Sequence, residues 1–370
     1  MPAPSEPQVL SALASIIDPD LGRDVVSLGM IKDLAIDPEG AVSFTFELTT
    51  PACPVRDSFK ARAEQVVAEL PGVRAVNVRM TANVRQGGLR SGPKADLLPG
   101  VRQTIAVASG KGGVGKSTVA VNLAASLKLS GARVGLLDAD IYGPSVPGMT
   151  GVREQPQVAD RPQPDGSMAR KLVPLEAFGV KLMSIGFISG DSTAAMVWRG
   201  PMVSRAISQF MEDVDWGELD YLVIDLPPGT GDASLTVAQA IPLTGVVIVS
   251  TPQDVALDIA VKALQMFRQL NVTPLGLVEN MSWFTCPDCG SKHHPFGHGG
   301  AERAAQRLGV PYLGALPLET EVREEADAGR PIVVARPDSE AAAAFREITS
   351  NIAARTSIQS FRRLPVINVR

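Results

Sequence analysis

The chain has 370 residues, 45% of them hydrophobic and 20% charged, with a formal net charge of -4. That length suits two domains and that balance an ordinary globular protein, which excludes disordered and fibrous classes; no run approaches the ~20 apolar residues of a membrane span, and the near-neutral charge gives no general affinity for nucleic acid. The N-terminal MPAPSEPQ lacks the basic-then-apolar order of an export signal, and three cysteines, an odd number, argue against a disulfide framework, so a cytoplasmic location is expected.

In chain order, residues 1–80 read as a small α/β domain. Gln8 to Ile17 carries apolar residues at helical spacing, IKDLAI and AVSFTFEL flank the turn DPEG as a hairpin, Pro54 opens a helix that Pro71-Gly72 stops, and VRAVNVRM returns as a strand. Residues 81–100, rich in Gly, Pro and charge without periodicity, read as a linker. From 101 to 355 short apolar strands (TIAVAS, ARVGLLDAD, DYLVID, GVVIVS, PLGLVENM, PYLGAL) alternate with helices, among them 116–129, 254–270 and 300–308. Almost wholly apolar strands between helices imply an α/β fold whose mainly parallel sheet is covered on both faces. Residues 143–175 are expected to form a long irregular insertion. Residues 356–370, with arginines and no acid, read as a basic, solvated tail.

Between the first strand of the larger domain and its helix stands SGKGGVGKST, which fits G-x-x-x-x-G-K-[ST]. The backbone amides of Gly110, Lys111, Gly112, Gly113, Val114 and Gly115 are placed to cradle phosphates, with Lys116 on the β/γ-phosphates, Ser117 on Mg²⁺ and Thr118 in the first helical turn. Lys111 is an added cation directly after the first glycine. Asp138 and Asp140 end one strand on a single face, and Asp225 ends another; acids at strand ends beside a phosphate loop suit Mg²⁺ and water. The loop PPGTGD after Asp225 is a candidate sensor of the γ-phosphate.

Cys286 and Cys289 form a CxxC, yet a closed tetrahedral site needs four ligands and the third cysteine, Cys53, is far away in sequence. All three histidines, His293, His294 and His298, follow closely, so a zinc site inside one chain is one reading and a redox dithiol another. Cys53 precedes a helix, where a thiol pKa is lowered and transfer chemistry becomes available; a packed turn residue is the alternative. The run Trp198-Arg199-Gly200-Pro201 reads as mainly structural.

GKGGVGKST with its extra lysine, DADIYGPS, DLPPGTGD, VWRGPM, VENMSWFTCPDCG with PFGHGG, and PLETEVREEADAGRPI together resemble the Mrp/ApbC group of iron–sulfur cluster carrier ATPases, within the deviant Walker A, MinD/ParA-like class. DPDLG, VVSLGMI and TTPACP resemble the small domain of bacterial Mrp proteins and of iron–sulfur assembly scaffolding factors. The resemblance implies a homodimer that binds ATP and Mg²⁺ and carries a [4Fe-4S] cluster, taking it from donor proteins and delivering it to apoprotein clients. It implies that Lys111 crosses to the partner's phosphates, Asp140 positions the attacking water, Asp138 and Asp225 are magnesium-side acids, and Asn280 reads the adenine edge. The insertion after Asp140 and the loop DLPPGTGD would be switches I and II. In a two-fold dimer the same CxxC arrives from both copies, which would complete a four-thiolate shell. An alternative from another functional class, a MinD/ParA-type positioning ATPase acting on membrane or DNA, lacks a basic or amphipathic output element here; a metabolic ligase or kinase would need a small-substrate pocket for which the sequence gives no sign.

Overall fold

The computed structural model describes residues 2–87, 97–162, 167–188 and 200–362. The chain divides into two compact units, Met1–Arg85 with Ala353–Arg370, and Gln86–Ile352. In the first, α1 (Glu6–Leu13) starts at Ser5, whose backbone amide donates to Gln8 Oε1 at 2.8 Å. It stops at Leu13, short of the Ile17 expected from periodicity. Asp18 takes over the local backbone there, its Oδ1 accepting from the Asp20 and Leu21 amides, and Pro19 disfavours a helical residue before it. Strands β1 (Ile31–Ile36) and β2 (Ala41–Leu48) pair antiparallel around a turn in which Asp37 Oδ1 accepts from the Glu39 and Ala41 amides at 2.9 and 2.8 Å. After α2 (Arg56–Ala68), β3 (Ala75–Ala82) returns parallel to β2. Phe44, Phe46 and Leu48 alternate onto the helical face of the sheet, and the Phe46 ring stacks on Phe59 with centroids 5.4 Å apart.

The second unit runs β4 (Val101–Ser109), α3 (Lys116–Leu129), β5 (Val134–Asp138), α4 (Val146–Thr150), β6 (Val158–Pro162), β7 (Met168–Leu172), β8 (Leu175–Ala177), β9 (Val180–Ser184), α5 (Gly200–Glu212), β10 (Leu219–Asp225), α6 (Asp232–Ala240), β11 (Gly245–Ser250), α7 (Asp254–Gln269), β12 (Pro274–Thr285), β13 (Lys292–His293), α8 (Gly300–Leu308), β14 (Tyr312–Pro317), α9 (Thr320–Asp327), α10 (Ile332–Ala335) and the first part of α11 (Glu340–Arg362), whose residues from Ala353 on belong to the first unit. Its large sheet has the order β13-β12-β11-β4-β10-β5-β9-β8, with β14 also on β12. The strands from β12 to β9 are parallel, as is β14; only β8 and β13 pair antiparallel. The expected α/β fold with a mainly parallel sheet is therefore present. β4 lies mid-sheet, so the loop at its carboxyl end opens where ligands of open α/β sheets bind.

Part of the expected irregular insertion is ordered: β6 and β7 form an antiparallel hairpin. Trp198 and Arg199, the linker interior 88–96 and residues 363–370 lie outside the described residues. Within the first unit, residues 356–362, read from sequence as solvated tail, continue α11, with Thr356 and Ile358 buried. Ile358 and Phe361 share a helix face at i and i+3, Phe361 packs on the core, and the Arg85 guanidinium lies 4.0 Å over its ring. No described helix is long and apolar enough to cross a membrane.

Candidate functional site

The loop from Gly110 to Ser117 joins β4 to the N-terminus of α3. Gly115 sits at φ 82°, a left-handed conformation that L side chains resist, and a Cβ there would stand 2.1 Å from Asn280 Nδ2. At Gly110 a Cβ would meet the Ala260 backbone nitrogen at 2.6 Å, so close packing requires both glycines and the left-handed backbone is a further requirement at Gly115. Gly112 and Gly113 are exposed, leaving the amide-lined face of the loop open.

Lys116 is buried, and its Nζ lies 2.6 Å from Asp225 Oδ1, 3.2 Å from Ser117 Oγ and 3.8 Å from Asp140 Oδ2. Parallel pairing of β5 with β10 places Asp138 opposite Asp225, so two fully buried carboxylates end adjacent strands in register. Burial first, and then the Asp225 charge, push Asp138 up to about 7; burial also raises Asp225, against the opposing pull of Lys116. Asp140 is raised as well, by burial, with Lys116 again opposing. Asp225 Oδ2 is buried with no hydrogen-bond partner. That unpaired anionic oxygen, with the Ser117 hydroxyl close to the same lysine, is the hard-oxygen donor set that suits Mg²⁺.

The PPGTGD loop is tied back at its start: the Gly229 amide donates to Ser109 O at 2.9 Å, and Ser234 Oγ donates to Pro227 O at 3.0 Å. Lys111 is half-exposed, and its side chain makes no ion pair among the described residues.

Asn280 donates from Nδ2 to Val114 O at 2.9 Å, and its Oδ1 accepts from the Met281 amide, so it braces the phosphate loop from β12. Its neighbour Glu279, unnoticed in the sequence, is fully buried. It accepts from Ser282 Oγ at 2.6 Å and from the Gly299 and Ala301 amides at 2.8 Å, capping the start of α8. The one available signal was a charged residue directly after the apolar run LGLV of β12.

Beyond these residues β12 leads directly to the two thiols. Phe284 and Thr285 pair with His293 and Lys292, and the CPDCGS segment forms the tip of the resulting hairpin. The Cys286 amide donates to Ser291 O and the Gly290 amide to Cys286 O, both at 2.9 Å. Cys289 is exposed, with Sγ 3.4 Å from Ser291 Oγ; hydrogen bonding with the Ser291 side chain, then its backbone, then the Cys286 thiol, lowers the Cys289 pKa. Two of the three histidines, His294 and His298, are engaged with other groups. His294 Nδ1 lies 2.8 Å from Ser282 O, its ring packs edge-on to His298 at 4.5 Å, and no group of three or more His, Cys, Asp or Glu side chains fit to hold a metal occurs among the described residues. Among the described residues the hairpin thus brings together two thiols, with no closed Cys₂His₂ shell formed around them.

Cys53 reverses the lowered pKa expected from its place before a helix. It packs on the core of the first unit, and burial, with added repulsion from Asp18 and Asp20, pushes its thiol up to about 11. The α2 helix begins only at Arg56, and burial outweighs its influence. Brief iodoacetamide treatment of metal-free protein near neutral pH is therefore expected to label Cys289 fastest and Cys53 slowest, as read by peptide mass spectrometry; first labelling at Cys53 would contradict this electrostatic ordering.

Strand, glycine loop, buried lysine and strand-end acids define a P-loop nucleotide-binding protein. Residues 100–353 match the family described as NUBPL iron-transfer P-loop NTPase, and residues 6–79 match the family described as iron-sulfur cluster assembly protein. The chain is 46% identical over 357 residues to the iron-sulfur cluster carrier protein of Deinococcus radiodurans, covering 96% of this chain and 97% of that one. To the protein of the same name from Synechocystis it is 48% identical over 352 residues, covering 95% and 97%. A solved nucleotide-binding protein from Archaeoglobus fulgidus in complex with ADP is 40% identical, with a TM-score of 0.55 over 64% of this chain and 90% of that one. The chain belongs to the iron-transfer P-loop NTPase family, among the iron–sulfur cluster carrier proteins.

Proposed function

We propose that the protein is an ATP-hydrolysing carrier that holds a [4Fe-4S] cluster as cargo between two copies of itself, receives it from donor proteins and passes it to apoproteins in the cytoplasm. The observation that carries this reading is the exposed hairpin tip with Cys286 and Cys289: two thiols, half of a four-thiolate shell, at the end of the strand that braces the phosphate loop. A second copy related by a two-fold axis supplies the other half.

ATP would lie along Gly110–Thr118, drawing the Lys116 ammonium from Asp225 onto phosphate oxygens. Ser117 and Asp225 would hold Mg²⁺, which when bound would supply charge neutralisation for the phosphates. Asp140 accepts a hydrogen bond from the attacking water. The water oxygen bonds to the γ-phosphorus, the bond to the β,γ-bridging oxygen breaks, and ADP and phosphate leave with the released proton. The free Lys111 ammonium reaches the partner's phosphates, which makes hydrolysis depend on the dimer. Nucleotide state and cargo are then linked because both depend on the same pairing of copies.

Lys111→Ala is expected to keep ATP affinity within about threefold and to lower turnover by about 100-fold or more, the scale of losing one transition-state cation. Nucleotide titration and phosphate release measure the two. Normal turnover would sink the cross-subunit role.

A further inference from the structure

Asp138 and Asp225 are equally buried and lie side by side, yet their oxygens are used differently. Asp138 Oδ1 accepts from the Asp140 amide at 3.1 Å. Its Oδ2 accepts from the Val146 amide at 3.2 Å and from Ser184 Oγ at 3.0 Å. These donors belong to three segments: the turn after β5, the start of α4 and the end of β9. Ser184 Oγ in turn accepts from the Gly186 amide at 3.0 Å, which bends the chain out of β9. A carboxylate offers about four lone-pair sites, and protein donors take three on Asp138. Asp225, by contrast, leaves Oδ2 without a partner.

We propose that Asp138 is a positioning residue rather than a magnesium-side acid: it fixes the backbone that carries Asp140 and holds α4 and the end of β9 against the nucleotide site. The inference deepens the ATPase reading and rests on it. Asp140 is only two residues on, and its amide is held by Asp138 while its carboxylate lies 3.8 Å from Lys116 Nζ. Releasing the amide frees the direction of the carboxylate, and misplacement by about 1 Å can lower a rate about 100-fold. In Asp138→Asn one oxygen becomes an NH₂ facing either the Asp140 amide or the Val146 amide and Ser184, so a donor meets donors.

The test compares Asp138→Asn, Ser184→Ala and Asp225→Asn by ATP turnover across Mg²⁺ concentrations, and by hydrogen exchange of nucleotide-free protein. Ser184→Ala keeps the carboxylate and so serves if Asp138→Asn fails to fold. Expected for Asp138→Asn is a kcat lowered about 10- to 100-fold, with KM for ATP and half-saturating Mg²⁺ within about twofold of wild type. Ser184→Ala shows the same pattern more weakly, and exchange at the Asp140 and Val146 amides accelerates in both. Asp225→Asn instead raises the Mg²⁺ requirement about tenfold or more. A tenfold higher Mg²⁺ requirement for Asp138→Asn, with kcat restored by excess Mg²⁺, would overturn the proposal, as would unchanged exchange at both amides. Absence of turnover in wild type would count against the ATPase reading alone, since hydrogen exchange would still decide the role of Asp138.

Discussion

Lys116→Ala is expected to abolish ATP binding and to lower the stability of the nucleotide-free protein by about 3–5 kcal/mol, the scale for removing one partner of a buried ion pair. The ammonium is the cation among Asp225, Asp140 and the adjacent Asp138, and without it the buried acids repel one another more strongly. Protonation offsets part of that cost, which gives the defect a pH signature. In the wild type Asp138 is already raised from 3.8 to about 7. The folded state therefore binds this proton more tightly than the unfolded chain. The stability it contributes is full below about 3.8 and lost as pH rises through about 7. Removing Lys116 pushes the acids further in the same direction, so the deficit is largest above neutrality and narrows on acidification. Thermal unfolding at about pH 5.5 and about pH 8 checks the sign. A deficit that grows toward the acid end would contradict the electrostatic account of the site.

The second large effect concerns the thiols. After anaerobic reconstitution the wild type is expected to bind about two iron per chain, one four-iron cluster per dimer, and Cys286→Ser or Cys289→Ser to lose nearly all of it. His294→Ala is expected to retain the iron, because that ring is committed to the Ser282 carbonyl and to His298. Metal analysis for iron, sulfide and zinc separates the alternatives. Stoichiometric zinc that is lost with His294→Ala would establish the single-chain site instead.

The phosphate loop is legible in the sequence because its information is local: consecutive residues supply the glycines, the lysine and the helix that follows. The strand-end acids are legible for a related reason, since a short apolar strand fixes where its last residue points. What distinguishes Asp138 from Asp225 is not local. It depends on Val146 and Ser184, eight and forty-six residues further along, which tertiary structure brings to one carboxylate. Glu279 escaped notice because its partners at Gly299 and Ala301 lie on the far side of the thiol hairpin. The β6–β7 hairpin is hidden by polar strands with exposed side chains, among them Val158 and Met168, that show no buried face. The end of α11 looks basic and solvated until Ile358 and Phe361 are seen to share one face. Cys53 misleads for an instructive reason: proximity to a helix lowers a thiol pKa only where burial does not outweigh it.

Asn280 adds a structural link to the site. The strand that braces Val114 also caps α8 through Glu279 and ends at Thr285, next to Cys286. The phosphate loop and the thiol hairpin are therefore joined within one chain by a single strand, while the proposed cluster would join two chains at the hairpin tips.

Light scattering coupled to anaerobic size-exclusion chromatography of the reconstituted protein tests the central claim most directly. The account predicts that the iron–sulfur chromophore elutes only with the mass of two chains, at about four iron per dimer, and that Cys289→Ser elutes colourless. Holoprotein eluting at the mass of one chain with its chromophore intact would contradict it.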